Sequence, residues 1–282
     1  ALAGLQLKGG AQLQAQWRGG WSDLQRQLQR AGLPLGTAAA SGGAPFTLQA
    51  RLDAPRFGAQ RSASAPGAAL DLQLQDLHAT FSGALTDLDA SVSGQLRSGA
   101  QQLQLQVRAQ GRNPATGPWA LQLPELQLQW QDKQRPGPWR LALAQPLALQ
   151  LTPGAQGALQ LQAQAGSAQL QGPLPGQALL QWQALQWQQR PGQAPQLRSS
   201  GQLTGLPLAW LNAIDQAQPP LLERLGLGGD VQLAADWDIH AAEQLQARLR
   251  LQRSSGELRL LALASGGATT VHSSGSGKAQ AD

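Results

Sequence analysis

Along most of this chain, apolar residues fall on every second position. In Gln101-Gln102-Leu103-Gln104-Leu105-Gln106-Val107-Arg108-Ala109-Gln110 the intervening partners are nearly all glutamine. On a helix these apolar side chains would wind around every face, whereas on a strand they line one face and leave the other wet. The alternation recurs in Leu5 to Trp17, Phe46 to Leu52, Leu70 to Leu77, Trp119 to Trp130 and Trp139 to Leu151. It returns in Ala158 to Leu170, Leu179 to Trp187, Val231 to Ile239, Leu245 to Leu251 and Leu258 to Leu263. Turn-forming clusters separate these runs, among them Gly111 to Pro118, Gln134 to Pro138, Thr152-Pro153-Gly154 and Arg190 to Pro195. Proline and glycine at such density stop strands and permit reversal, so a meander of hairpins is predicted.

The phase of the alternation matters, because a slip of one residue turns every later side chain to the opposite face. Leu141, Leu143, Leu147, Leu149 and Leu151 stay in phase across Pro146, but Leu121 and Leu123 change parity to Leu126, Leu128 and Trp130 across Pro124-Glu125. That second site predicts a bulge or an edge kink. Two stretches have helical spacing instead. Ser22 to Gly32 carries capping residues and leucines four apart, which predicts a short helix of about two turns. Leu206 to Leu227 is a second, broken at Pro219-Pro220, and Gly226-Leu227-Gly228-Gly229 returns the chain to a strand.

About 14 strands of about 8 to 10 residues would each be roughly 25 to 33 Å long and together some 65 Å wide at about 4.8 Å spacing. A sheet of that width closes, splits, winds into a solenoid or coils into a trough. Composition narrows the choice. Leucine (52) and glutamine (46) make up about a third of the 282 residues, while Val and Ile together number six. A lining of Leu and Ala packs loosely, unlike the interlocking β-branched and aromatic core usual in a sandwich. The expected fold is therefore all-β: an elongated, coiled antiparallel sheet forming an open apolar groove, with one or two short helices. Residues 1–265 are expected to form this groove segment and 266–282 a flexible or truncated tail. The sequence starts at Ala1 and contains no methionine, which predicts a piece of a longer protein.

Several function classes drop out. Without cysteine there is no disulfide framework, thiolate nucleophile or Cys-ligated metal. The longest apolar runs, such as Leu141 to Ala144 and Leu260 to Ala264, fall far short of the roughly 18 to 20 residues of a membrane-spanning helix. A membrane barrel would carry aromatic girdles, yet there is no Tyr and only nine Trp. Net charge is +5, with arginines scattered from Arg18 to Arg259 and no basic cluster to track a nucleic-acid backbone.

Candidate chemistry is sparse. Asp236, Asp238 and His240 share a strand face, in principle a row of metal ligands, but they occupy the wet positions of a strand whose Trp237 and Ile239 point the other way. Asp71, Asp76 and His78 form a looser group, and Asp87 with Asp89 a carboxylate pair; both read as solvated strand or turn residues. Gly275-Ser276-Gly277-Lys278 lacks the leading glycine and the following hydroxyl of a phosphate loop. Trp119, Trp130, Trp139, Trp182 and Trp187 stand near turns or strand ends, where an indole packs with one side wet, and a groove rim is the alternative placement. No catalytic, cofactor or metal residue is assigned, and a non-enzymatic role is expected.

The Leu/Gln hairpins, Ser200-Gly201-Gln202-Leu203-Thr204-Gly205-Leu206-Pro207-Leu208-Ala209-Trp210-Leu211, and Leu227-Gly228-Gly229-Asp230-Val231-Gln232-Leu233-Ala234-Ala235-Asp236-Trp237-Asp238 running on to Leu249–Leu258, resemble the AsmA-like proteins of Gram-negative envelopes. Within them the likeness is to the central region of the TamB family. The resemblance implies a periplasmic groove between an inner-membrane anchor, in a segment not present here, and a TamA-type outer-membrane barrel. Phospholipid movement and outer-membrane protein assembly are the implied functions. Phospholipid acyl chains would then lie against Leu103, Leu105, Leu141, Leu143, Leu149, Leu159 and Leu161. A structural or adhesive β-solenoid of a secreted surface protein is the alternative.

Overall fold

The computed structural model describes residues 5–20, 46–61, 70–84, 87–113, 118–154, 158–214 and 218–261. The helix expected at Ser22 to Gly32, the tail at 266–282 and the Gly275–Lys278 motif lie outside these residues. The first six strands are β1 (Leu5–Arg18), β2 (Thr47–Arg61), β3 (Leu70–Ala84), β4 (Asp87–Ser98), β5 (Gln101–Arg112) and β6 (Trp119–Asp132). Four short ones follow: β7 (Trp139–Leu143), β8 (Leu147–Pro153), β9 (Leu159–Ala163) and β10 (Gly166–Gln171). Next come β11 (Ala178–Gln189), β12 (Gln196–Pro207), a 3₁₀ helix (Leu208–Ala213) and a single α-helical turn, α1 (Leu221–Arg224). The last are β13 (Leu227–Gly229), β14 (Gln232–Ala241), β15 (Leu245–Ser255) and β16 (Leu258–Leu260).

Fourteen of these strands form one antiparallel sheet, and β13 pairs separately with β16. The chain is thus all-β, as the alternation predicts, despite a leucine, alanine and glutamine content that favours helix on intrinsic propensity. The period of the pattern outweighs propensity because only a strand puts all the leucines on one side. Hairpin follows hairpin from β1 to β6. Then β7 and β8 both pair with β6 as one interrupted strand line, and β9 and β10 both pair with β11 as the next. The sheet therefore has twelve strand lines, running β1, β2, β3, β4, β5, β6, β7 with β8, β10 with β9, β11, β12, β14, β15.

The interruptions lie side by side. Opposite Ala109 the β6 strand bulges at Leu123-Pro124, where the register shifts between Arg108 and Gln110. The bulge restores parity, so Leu121 and Leu126 face the same way as Gly111 and Val107 opposite them. Proline suits the extra residue, whose N–H is not required by the ladder. The neighbouring line breaks between Leu143 and Leu147, and the one beyond it between Ala163 and Gly166. The run Ala158 to Leu170 is thus two strands, and its change of parity, from Leu159, Leu161 and Ala163 to Ala168 and Leu170, is absorbed at Gln164-Ala165. The Trp182 indole donates to the Gln164 carbonyl at 2.9 Å, satisfying one group freed by the break. In β11 the register against β12 shifts just after Trp182. Four adjacent lines thus share a crease, and bulges of this kind bend a sheet and increase its twist.

Most of the apolar face is half-buried, and among the described residues no second sheet lies over it. Deep burial concentrates at one end of the strands. There Trp210, in the 3₁₀ helix, is 2% exposed. It meets Trp139 edge to face at 5.3 Å between ring centroids and donates its indole N–H to the Leu174 carbonyl at 3.0 Å. Its ring presses on Gly172, where a Cβ would come within 2.6 Å. Ala178, Ala213, Leu222 and Val231 are also buried, and Asn212 Oδ1 accepts the Leu222 N–H at 3.0 Å, tying α1 to the 3₁₀ helix. The helical spacing of Leu206 to Leu227 is therefore two short turns that cap one end of the sheet.

Trp210→Ala is expected to cost about 3–5 kcal/mol, the range for emptying a fully packed aromatic site, read as a lower urea midpoint. Asp76 takes φ +50° at the bulge of β3 against β4, between Gln75 and His78. A β-branched side chain resists that conformation by about 1–2 kcal/mol, while Asn tolerates it. Asp76→Val is therefore expected to destabilise by about that amount and Asp76→Asn to be close to neutral, compared in the same unfolding assay.

Candidate functional site

Directly opposed residues on antiparallel strands share a face, so the register can be followed as rows running across the strands. One row passes through every line of the sheet: Trp17, Leu48, Gly83, Leu88, Gly111, Leu121, Leu149, Ala163, Leu185, Ser199, Ile239 and Ala247. At about 4.8 Å per strand it is roughly 50 Å long. A parallel row joins Gly94, Leu105, Leu128, Leu141, Leu170 and Ala178. Another joins Phe57, Leu74, Leu96, Leu103, Trp130 and Trp139. A further row runs from Leu143 through Ala168, Leu180, Leu203 and Ala235 to Leu251.

The seven leucines singled out from the sequence, Leu103, Leu105, Leu141, Leu143, Leu149, Leu159 and Leu161, are all half-buried. Leu105 and Leu141 share one row and the others fall in neighbouring rows, Leu161 between Leu151 and Trp187. The sequence places the tryptophans at turns or strand ends, with a groove rim as the alternative, and the register adds which residues they oppose. Trp130 faces Trp139 across β6 and β7, and Gly166, Trp182, Gly201, Trp237 and Leu249 form a row in which each tryptophan lies beside a glycine. A Cβ on Gly166 would come within 2.5 Å of the Trp182 ring, and one on Gly201 within 2.3 Å of the Trp237 ring. Trp119 is buried at the start of β6, Trp182 sits at mid-strand beside the crease, and Trp187 stands near the end of β11.

The opposite face is a lattice of amides. Arg56, Gln75, Gln95, Gln104, Gln129, Arg140 and Gln171 form one row. Arg140 Nε donates to Gln129 Oε1 at 3.0 Å, Gln202 to Gln181 at 2.8 Å, and Gln106 and Gln127 both donate to Glu125 Oε1 at 2.8 and 3.1 Å. Hollows of about 630 and 350 Å³ open on this face, the first bordered by Gln104, Gln106, Gln127, Gln129 and Arg140, the second by Asp87, Asp89, Gln110 and Arg112. At these two places the sheet is concave on its amide side.

The tightest charged cluster also lies on this face. Arg51 Nε donates to Asp53 Oδ2 at 2.6 Å, and His78 Nδ1 stands 2.6 Å from Asp53 Oδ1. The hydrogen bond from Arg51, then that from His78, holds the Asp53 carboxyl below the usual carboxylate range. Ser93 is opposite His78 in the register, giving the residue types of a hydrolytic triad. No hydrogen bond joins the two among the described residues, so the nucleophile and base required for that chemistry are not coupled. The cluster pins β2 to β3 beside the Asp76 bulge. Asp236 and Asp238 face Arg250 and Arg248 across β14 and β15, with His240 opposite Gln246, so each carboxylate already has a cationic neighbour. Arg112 Nε lies 3.6 Å from Asp87, and Asp71 accepts from Gln60 at 3.3 Å. Among the described residues no group of three or more His, Asp or Glu is placed to hold a metal ion, and no helix is long and apolar enough to cross a membrane.

Among the described residues, the fold is a large antiparallel β-sheet with a small two-stranded sheet beside it, one face apolar and the other rich in amides. Comparison with known proteins returns no matching family model, no matching curated protein and no matching solved structure.

Asp53 is lowered in the folded chain, so its stabilising contribution is present above the ordinary Asp range and is lost as pH falls through the folded value. Asp53→Asn removes that contribution and is expected to flatten the acid limb of stability against pH relative to wild type. Urea midpoints measured from neutral pH into the acid range give the comparison. Asp230 is also lowered, by the backbone N–H of Glu257 and its own, so part of the limb remains.

Proposed function

We propose that this chain is a wall segment of a non-enzymatic lipid conduit, with phospholipid acyl chains lying against the apolar rows and headgroups staying in water. The observation that carries the reading is the continuity of those rows. Apolar or small side chains follow one another across all twelve strand lines, half-buried or buried on the inner lines and exposed at Trp17 and Ala247 on the two outer ones. Water is a poor solvent for such a surface, at about 25 cal/mol per Å² of apolar area left exposed. A fluid acyl chain suits it because burial of this kind is non-directional. Leucine and alanine add no fixed polar group that would hold a ligand at one place.

Acyl chains would contact Leu103, Leu105, Leu141, Leu143, Leu149, Leu159 and Leu161, and the amide face would keep the other side of the wall soluble. The likeness to AsmA-like and TamB-family proteins extends the proposal to the periplasm, to an inner-membrane anchor and a TamA-type barrel reached through parts outside this chain, and to envelope integrity and outer-membrane protein assembly.

Photo-crosslinking residues placed at Leu141, Leu143 and Leu149 are expected to give phospholipid adducts on irradiation in cells. The same residue at Gln104 or Gln129, on the amide face, should give only background. Protein-only adducts from the leucine positions, together with purified chain free of lipid by mass spectrometry, would remove the conduit reading.

A further inference from the structure

The larger hollow on the amide face, about 630 Å³, is a trough and not a pit. Its lining comes from six adjacent strand lines, β3, β4, β5, β6, β7 and β10, a span of about 24 Å at about 4.8 Å per line. Two register rows form it. One is His78, Ser93, Gln106, Gln127, Ala142 and Gln169. The other is the stretch from Gln95 to Gln171 of the amide row traced above. Gln95, Gln104 and Gln129 are half-buried, whereas Gln106, Gln127 and Gln169 beside them are exposed, so the second row lies deeper.

The chemistry of this trough is close to neutral. On β4, β5, β6 and β10 every lining side chain is uncharged, and titratable groups stand only on β3, as Asp76 and His78, and on β7, as Arg140. Some of the amides are engaged within the protein. Gln95 accepts from Gln102 at 3.0 Å and Gln129 from Arg140, while Gln106 and Gln127 donate to Glu125. Gln104, Gln169 and Gln171 make no side-chain hydrogen bond among the described residues. Each amide of this kind presents a carbonyl oxygen that accepts and an NH₂ group that donates. A surface that gives and takes hydrogen bonds line after line matches a ligand whose own groups do both, which is the property of hydroxyls.

We infer that the trough is a binding site for a neutral, extended 1,4-linked oligosaccharide laid across the strands, one sugar unit to each strand line. Spacing selects the class. A pyranose unit in an extended 1,4-linked glycan advances the chain by close to one strand spacing, so successive units meet the same pair of rows. An extended peptide advances about 3.3 Å per residue against lines about 4.8 Å apart, and falls out of step within about two residues. A nucleic-acid or polyphosphate backbone takes its affinity from repeated cations, where the trough offers Arg140 and, when protonated, His78. An acyl chain would strip water from the amides and return no hydrogen bond. No aromatic ring lines the trough, so the sugar is held by hydrogen bonds alone and binds weakly. The inference does not rest on the lipid reading: it uses the face that reading leaves in water, and either can fail without the other.

Saturation-transfer NMR, which reads weak binding, tests it with cellohexaose, mannohexaose and chitohexaose as probes. At least one is expected to receive saturation from the chain and to give a saturable isotherm that is the same at low and high salt, because no ion pair is made. Gln104→Ala and Gln171→Ala remove no side-chain hydrogen bond seen within the described residues, and each is expected to weaken that binding about two- to tenfold. Gln246→Ala, opposite His240 on the same face and outside the trough, should leave it unchanged, and circular dichroism checks that every variant keeps its strand content. Absence of binding by all three probes overturns the inference. So does binding that falls steeply with salt, or binding that Gln104→Ala and Gln171→Ala leave as in wild type.

Discussion

Register is the constraint on which everything else in this molecule depends. Where a sheet is closed by a second layer, packing across the core corrects small errors of alignment. Over most of this one no such layer is seen among the described residues, and sideways contacts carry the order: ladder hydrogen bonds and the opposed side chains of neighbouring strands. A slip of one residue anywhere would put leucine among the glutamines. The bulge at Leu123-Pro124 and the break at Gln164-Ala165 are two of the places where parity changes along the chain, as it also does beside Asp76, after Trp182 and between Leu203 and Leu206. At the first two, the adjoining strands absorb the change, so that Leu121 and Leu126, or Ala163 and Ala168, stay with the apolar rows.

That order explains which parts of the structure could be read from the sequence. Strand identity, the wet and oily faces and the kink at Pro124-Glu125 follow from period and parity, which are local properties. The helical spacing around Trp210 was legible, but its purpose was not, since the contacts with Trp139, Gly172 and Leu174 join residues far apart in the chain. Likewise nothing near Asp53 announces His78. The two meet only because β2 and β3 pair in one particular register. The parity change within Ala158 to Leu170 was visible in the letters, but with no proline and only Gly166 at the break it read as a single strand. Nothing in the sequence marks Gly166 and Gly201, but in the fold they leave the space that the Trp182 and Trp237 rings occupy.

The amide face is the less conspicuous half of the design. Glutamine offers donors and acceptors without net charge, so neighbouring strands can carry it in long rows without the repulsion that rows of Lys or Glu would create. The few ionic groups sit where they cross-link adjacent strands, as Arg51, Asp53 and His78 do. The outer strands depart from this neutrality: β15 carries Arg248, Arg250 and Arg253, and β1 has Lys8 and Arg18 on either side of Gln12, Gln14 and Gln16.

The cap around Trp210 gives the molecule a direction. It covers one end of the strands near β7, β10 and β12, where the row that ends at Trp139 meets Trp210, while the row from Trp17 to Ala247 crosses all twelve lines clear of it among the described residues. If the proposed conduit holds, an oily molecule moving parallel to the backbone would meet the cap at one end, whereas one moving from strand to strand along the row from Trp17 to Ala247 would not. In that conduit the axis of travel would be the hydrogen-bonding direction of the sheet, its length set by how many strands are laid side by side and not by how long any strand is.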